Sequence, residues 1–235
     1  MRAQKYDLIV SIGSNCEVTW NLRNHFGLSD AYPFDWWITP HNALLKLLEN
    51  RLGGLFEASN LYIPDDKSTV VDRYYNIMYH HDFSRDENHK IDINAIEPQL
   101  AHLKEKYRFL TNRFINNLSN KRVLLVRNRC GNAIDYLQGD FGDITPEMCM
   151  DAIDRLQVLL PNTRFSYFAT NKDPQFDSFI HKGTPVFCDK ITNYGDSQDY
   201  MISPRGWSEM FNRQNIVLRT PSRVRQALAK VFSIY

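Results

Sequence analysis

The sequence predicts an α/β fold: a three-layer, mostly parallel, Rossmann-like sheet flanked by helices. Three observations carry that expectation. Short apolar runs without helical spacing recur at residues 8–12 (LIVSI), 122–128 (RVLLVRN) and 164–171 (RFSYFATN), as strands buried on both faces require. Between them lie stretches with apolar residues at steps of three and four, the period of a helix with one buried face. The span from 122 to 171 reads strand, helix, strand, a unit whose crossover is nearly always right-handed in a parallel sheet.

Element by element, the first strand ends at Gly13. Ser14 and Glu17 then show the S-x-x-E spacing of a capping box, in which the serine accepts from the backbone three residues on and the glutamate reaches back. A helix therefore starts there, with Val18, Leu22 and Phe26 as its apolar stripe and Gly27 as its stop. Thr39 as cap, with Pro40 in the first turn, opens a second helix that runs through ALLKLLEN to the Gly53-Gly54 break. Residues 57–94 mix short β-prone pieces, such as STVVDRYYNIMYHHDF, with polar and acidic turns, and read as strands or irregular structure. After Pro98, Leu100, Leu103, Tyr107, Leu110, Phe114 and Leu118 mark a long helix. Thr145 with Pro146 caps the helix of the strand-helix-strand unit, which carries Cys149, Ala152, Ile153, Leu156 and Leu160. Short strands at TPVFC and NIVLR and a last helix after Pro221, through Val224, Leu228 and Phe232, complete the expected single domain over 1–235. Ligands are expected at the carboxyl ends of the strands.

With 235 residues and 43% apolar content the chain can bury a sizeable core. Its 28 Lys and Arg against 27 Asp and Glu give no global attraction to phosphate backbones or anionic membranes, so nucleic acid is not an expected partner. The N-terminal apolar run is too short for a signal peptide, and no later stretch approaches the roughly 18 apolar residues of a membrane span. A soluble, cytoplasmic protein is expected. Cys16, Cys130, Cys149 and Cys188 are dispersed without a CxxC pair, so the expectation is reduced thiols, with no zinc site and no disulfide framework.

The candidate chemistry begins at Cys16. Placed in the first turn of a helix, it meets backbone N–H groups and the positive end of the helix dipole, which favour a thiolate. The competing reading is packing, because an unpaired cysteine usually behaves as a small buried hydrophobe, and the adjacent Glu17 opposes the thiolate unless its carboxylate is turned away. A thiol nucleophile needs a base and a group to orient that base. In YHHDF an extended chain points His80 and His81 to opposite faces, so one of them serves, with Asp82 or Asp35 holding the imidazole. The other histidines, His25, His41, His89, His102 and His181, form no HExxH or comparable pattern, and no metal or cofactor is indicated. Asp35, set between Phe34 and the Trp36-Trp37 pair, is expected to be partly desolvated and therefore hydrogen-bonded, paired or raised in pKa. In VRNRCGN, Arg127, Asn128, Arg129 and Asn132 end a strand with donors for an anionic or carbonyl group, although Asn and Gly are also ordinary turn residues.

Read together, SIGSNCEVTWNLR, YPFDWW, HHDF and the VLLVRN strand resemble a family of bacterial and viral proteins grouped as papain-like cysteine peptidases. The resemblance implies Cys16 as nucleophile, His81 as general base, and Asp82 or Asp35 as orienting acid. Substrate would be lined by Ser14, Asn15, Trp36, Arg127 and Asn128. The chain departs from papain itself, with Glu17 rather than a tryptophan after the cysteine and an α/β pattern in place of an antiparallel sheet. The expected function is accordingly a thiol hydrolase or acyltransferase acting on a peptide, acyl or glycan substrate. Attack by Cys16 would form an oxyanion stabilised by backbone N–H groups of the Gly13-to-Glu17 turn. The alternative is a glycosyltransferase-like enzyme acting on a nucleotide sugar or glycan without covalent cysteine catalysis. A third reading is an SGNH-like esterase with Ser14 as nucleophile and Gly131-Asn132 as its later block.

Overall fold

The computed structural model describes residues 3–130, 134–139, 141–171, 176–190 and 204–219. Strands β1 (Gln4–Tyr6) and β2 (Leu8–Ser11) lead into helix α1 (Cys16–Phe26), followed by α2 (His41–Glu49). Strands β3 (Leu61–Tyr62), β4 (Val70–Asp72) and β5 (Ile77–Tyr79) precede α3 (Ile96–Leu118). Then come β6 (Arg122–Asn128), α4 (Pro146–Leu159), β7 (Arg164–Asn171), β8 (Phe179–His181), β9 (Thr184–Lys190), α5 (Pro204–Arg213) and β10 (Ile216–Leu218).

The main sheet has five strands in the order β2-β6-β7-β9-β8. Its first four strands are parallel and β8 alone runs antiparallel, on β9. A mixed α/β fold with a mostly parallel sheet is thus present. Alternation along the strands divides the core. Val123, Leu125, Tyr167 and Ala169 pack with α2, α3 and α4, whereas Leu124, Val126 and Phe168 pack with Val18 and Leu22 of α1 and with Trp207, Met210 and Phe211 of α5. This is the side-chain period of two along a strand buried on both faces. The apolar stripe expected for the long helix is realised, since Leu100, Leu103, Tyr107, Leu110, Phe114 and Leu118 are all buried in α3.

Residues 57–94, expected as strands or irregular structure, contain a three-stranded antiparallel sheet in the order β3-β4-β5, joined to the rest through an isolated antiparallel bridge between Ile38 and Met78. Other expectations change with tertiary context. Thr39 does not cap α2. Its backbone N–H donates to Ser14 O, its carbonyl accepts from Arg127, and the residue at the N-cap is Pro40. That helix also ends at Glu49, short of the Gly53-Gly54 pair. The NIVLR strand lies beside β1 in a parallel two-stranded sheet, outside the main sheet. Helix α5 is not among the expected elements, although Trp207, Met210 and Phe211 stand at the steps of three and four of a helix with one buried face. Gly131, Asn132 and the helix expected after Pro221 lie outside the described residues. No described helix is long and apolar enough to cross a membrane.

Candidate functional site

Strand β2 delivers the chain to a turn that glycine alone fits. Gly13 has φ +90°, and a Cβ there would stand 2.8 Å from Nη1 of Arg127. Arg127 is only 2% exposed, and its guanidinium donates to Ile12 O at 2.7 Å and Thr39 O at 2.6 Å. It ties the two loops together from inside.

Asn128 organises the next four residues. Its Oδ1 accepts from the Ser14 N–H at 2.8 Å and lies 2.9 Å from the Ser14 hydroxyl, while its Nδ2 donates to Asn15 Oδ1 at 3.0 Å and Glu17 Oε2 at 3.2 Å. All four hydrogen-bonding positions of the carboxamide are used, and the residue is fully buried. Asn15 adopts an extended backbone and its side chain accepts from the Glu17 N–H, which makes Asn15 the N-cap of α1. The Ser14–Glu17 capping box does not form. Ser14 is one residue too early, and its hydroxyl is directed to Asn128 Oδ1 and Arg129 O. Glu17 points inward instead of back along the chain, with Oε1 accepting from Trp207 Nε1 of α5 at 2.9 Å. The carboxylate beside Cys16 is therefore turned into the fold.

Cys16 is the first residue of α1 and is half-buried, whereas Cys130 and Cys149 are buried. Burial raises the pKa of the Cys130 thiol, opposed by Arg127, by the Ser14 hydrogen bond and by Arg129. Ser14 itself has no exposed surface, which leaves its hydroxyl without access to a substrate.

Thr19 and Arg23 follow Cys16 at helical spacing and meet the AYPFDWW segment. Asp35 accepts from the Thr19 hydroxyl at 3.0 Å, from Arg23 Nη2 at 3.3 Å and from the Tyr32 N–H at 3.0 Å. It is 2% exposed, and burial lifts its pKa to about 6 against the pull of those donors. The two tryptophans that follow diverge. Trp37 is fully buried and stacks on Tyr107 with ring centroids 4.7 Å apart. Trp36 is half-buried, under the Arg23 guanidinium at 5.4 Å and edge-on to His81 at 5.6 Å.

His81 is brought to Trp36 because Ile38 and Met78 exchange backbone hydrogen bonds of 3.1 and 3.0 Å. His81 is exposed. Partial burial lowers its pKa, Asp82 raises it through space, and Arg85 lowers it. Among the described residues its ring contacts are Trp36 and His80, and a hydrogen bond to Cys16 is not among them. Asp82 has turned inward. Its carboxylate accepts from Trp37 Nε1 at 3.2 Å, Lys106 Nζ at 2.8 Å and the Tyr107 hydroxyl at 2.8 Å. Asp35 touches His81 only through Arg23 and Trp36. Among the described residues no group of three or more His, Cys, Asp or Glu side chains could hold a metal ion.

The model of one family, described as "Putative papain-like cysteine peptidase (DUF1796)", matches residues 7–136. The chain belongs to this family. The matched span carries Cys16, Asp35, Trp36, His81, Asp82, Arg127 and Asn128, and it stops before Trp207, which completes the Glu17 anchorage. No curated protein and no solved structure matches the chain.

Sequence reasoning overlooked Thr19, Arg23 and Trp207. The first two stand three and seven residues beyond Cys16, a legible helical signal. Trp207 shares a helical spacing with Met210 and Phe211, but nothing local ties it to Glu17, almost two hundred residues away.

Proposed function

We propose that the protein is a thiol-dependent hydrolase or acyltransferase in which Cys16 attacks an acyl carbonyl and His81 accepts the thiol proton. The observation that carries this reading is the placement of Cys16 as first residue of α1, half-exposed, on a turn held by the fully satisfied Asn128 carboxamide. The Ser14 and Glu17 N–H groups are taken by Asn128 and by the Asn15 cap, so the dipole of α1 and the other N–H groups of its first turn stabilise a thiolate and then an oxyanion. Family membership supports the same class of chemistry.

In this mechanism Cys16 Sγ forms the bond to the carbonyl carbon, the imidazole returns its proton to the leaving group, and water or a second acceptor releases the acyl group. His81 approaches the sulfur when substrate binds, because catalytic hydrogen bonds often tighten only in the complex. Asp82 contributes its charge, and Asp35 acts through Arg23 and Trp36 on the wall behind the imidazole. The same reading takes the sheet as the middle of a three-layer, Rossmann-like arrangement. Its support is the alternation of core side chains between two sets of helices. Asn15, Trp36 and the turn around Asn128 would border the substrate, while buried Arg127 and Ser14 shape that border from beneath.

Alkylation of the native chain with iodoacetamide at neutral pH, read by peptide mapping, tests the proposal. Cys16 should react faster than Cys188, the other partly exposed cysteine, and His81→Ala should slow Cys16 alone. Equal rates at the two thiols, or an unchanged Cys16 rate in His81→Ala, would overturn it.

A further inference from the structure

The opposite rim of the main sheet gathers charge that the chain as a whole balances. Arg122 opens β6 and Arg164 opens β7, and the two are Cα partners in the parallel register. Register partners on adjacent strands leave the sheet on the same face about 5 Å apart, where like charges repel. With Lys182 they line a cavity of about 490 Å³, which Gln157, Asn162 and Ser166 furnish with neutral polar groups. No Asp or Glu is among its lining residues.

Nearby carboxylates cover this rim only in part. Asp154 pairs with Lys182 Nζ at 2.7 Å and also lies 2.8 Å from His181 Nε2. Asp7 accepts from the Arg122 backbone N–H and from Arg219, leaving the Arg122 guanidinium over the Tyr6 ring at 5.1 Å. Arg164 is exposed, with no ion pair among the described residues. Like charges at register partners on adjacent strands cost stability in the empty protein, and an anion held between Arg122 and Arg164 offsets that cost.

We propose that this pocket is a second binding site, specific for a small phosphate-bearing anion, at the end of the strands remote from Cys16. Guanidinium forks bind phosphate oxygens bidentately, and the ammonium adds a point charge. The volume is that of a small-molecule site. The near-zero net charge supplies no extended field for a polyanionic chain, which favours a small solute over nucleic acid.

Isothermal titration of the full chain with inorganic pyrophosphate, at ionic strength held constant with chloride, tests the site. Saturable binding is expected. Arg164→Ala and Lys182→Ala should each weaken it by about tenfold, and the double variant more, as lost charge-assisted contacts require. Without anion, Arg164→Ala should melt no lower than the parent, since it removes a like-charge neighbour. Iodoacetamide labelling of Cys16 should be the same in every variant, which separates this site from the thiol chemistry. Absence of pyrophosphate binding, undiminished affinity in the double variant, or a lower melting point for ligand-free Arg164→Ala would overturn the proposal. So would binding of a single-stranded RNA oligomer or of phosphatidylserine vesicles through these residues in place of pyrophosphate.

Discussion

Helices α1 and α4 each carry a cysteine in their opening turns, and they surround it in opposite ways. Cys16 is the first residue of α1, where its N–H precedes any acceptor inside the helix. Cys149 is the fourth residue of α4, and its N–H already donates to Thr145 O at 3.2 Å. Its side chain has no exposed surface, and burial drives its thiol far above the usual range, reinforced by Cys188 and opposed by Arg127. A helix N-terminus alone therefore does not favour a thiolate. Under the proposed function, position ahead of the first acceptor together with a path to solvent separates Cys16 from Cys149.

The largest test of this contrast is the alkylation rate of the two thiols in the native chain. Cys16 should outpace Cys149 by two orders of magnitude or more, because Cys149 is both sealed and held protonated. Comparable rates would dissolve the distinction. Next comes Asn128→Ala, which leaves the Ser14 N–H and one Glu17 oxygen without their buried partner. A loss of about 3 kcal/mol in urea unfolding is expected, with slower Cys16 labelling and unchanged Cys149 labelling. A variant that unfolds like the parent would show that the turn holds itself.

Asp35 sharpens the comparison where α1 meets the segment 31–37. Its folded pKa of about 6 lies above the ordinary carboxylate value, so the folded state binds the extra proton. The stability it contributes is present below pH about 4 and is lost as pH rises through about 6, by up to about 3 kcal/mol. Asp35→Asn should flatten that decline relative to the parent in unfolding measured from pH 4 to 7. Parallel pH profiles would refute the assignment.

The smallest effects belong to the two caps. Thr145→Ala removes the hydroxyl that accepts from the Met148 N–H and should cost about 1 kcal/mol in thermal unfolding, with no change at Cys16. Asn15→Ala should cost a similar amount and also alter the Cys16 labelling rate, since Asn15 bridges the cap to Asn128.

Legibility in sequence follows the range of the interactions concerned. Helix α3 was readable because its buried residues recur at helical spacing within one stretch, and β6 and β7 because uninterrupted apolar runs have few alternatives. The Thr145-Pro146 start of α4 was read correctly from the same kind of local signal. The start of α1 was misread by one residue. Both Ser14 and Asn15 are good caps locally, and the choice fell to Asn128, more than a hundred residues away. Trp36 and Trp37 are chemically alike, yet only the packing of Tyr107 and Asp82 sends one inward and leaves the other beside His81. In residues 57–94 the β-prone pieces were legible, and β4 and β5 lie within STVVDRYYNIMYHHDF, but their antiparallel pairing was not, because pairs so short are stabilised by what they pack against.

The amino-acid order alone determined an α/β chain with buried parallel strands, a helix opening at a cysteine, and motifs shared with a family. Only the folded protein decided which residue caps that helix, that Glu17 and Asp82 face inward, and that two arginines stand side by side at the far rim. Periodicity and capping depend on neighbours a few residues away, so they are written in the order of the chain. The direction of a buried carboxylate or guanidinium is set by partners that meet it only after folding, where each unpaired group would carry a desolvation cost.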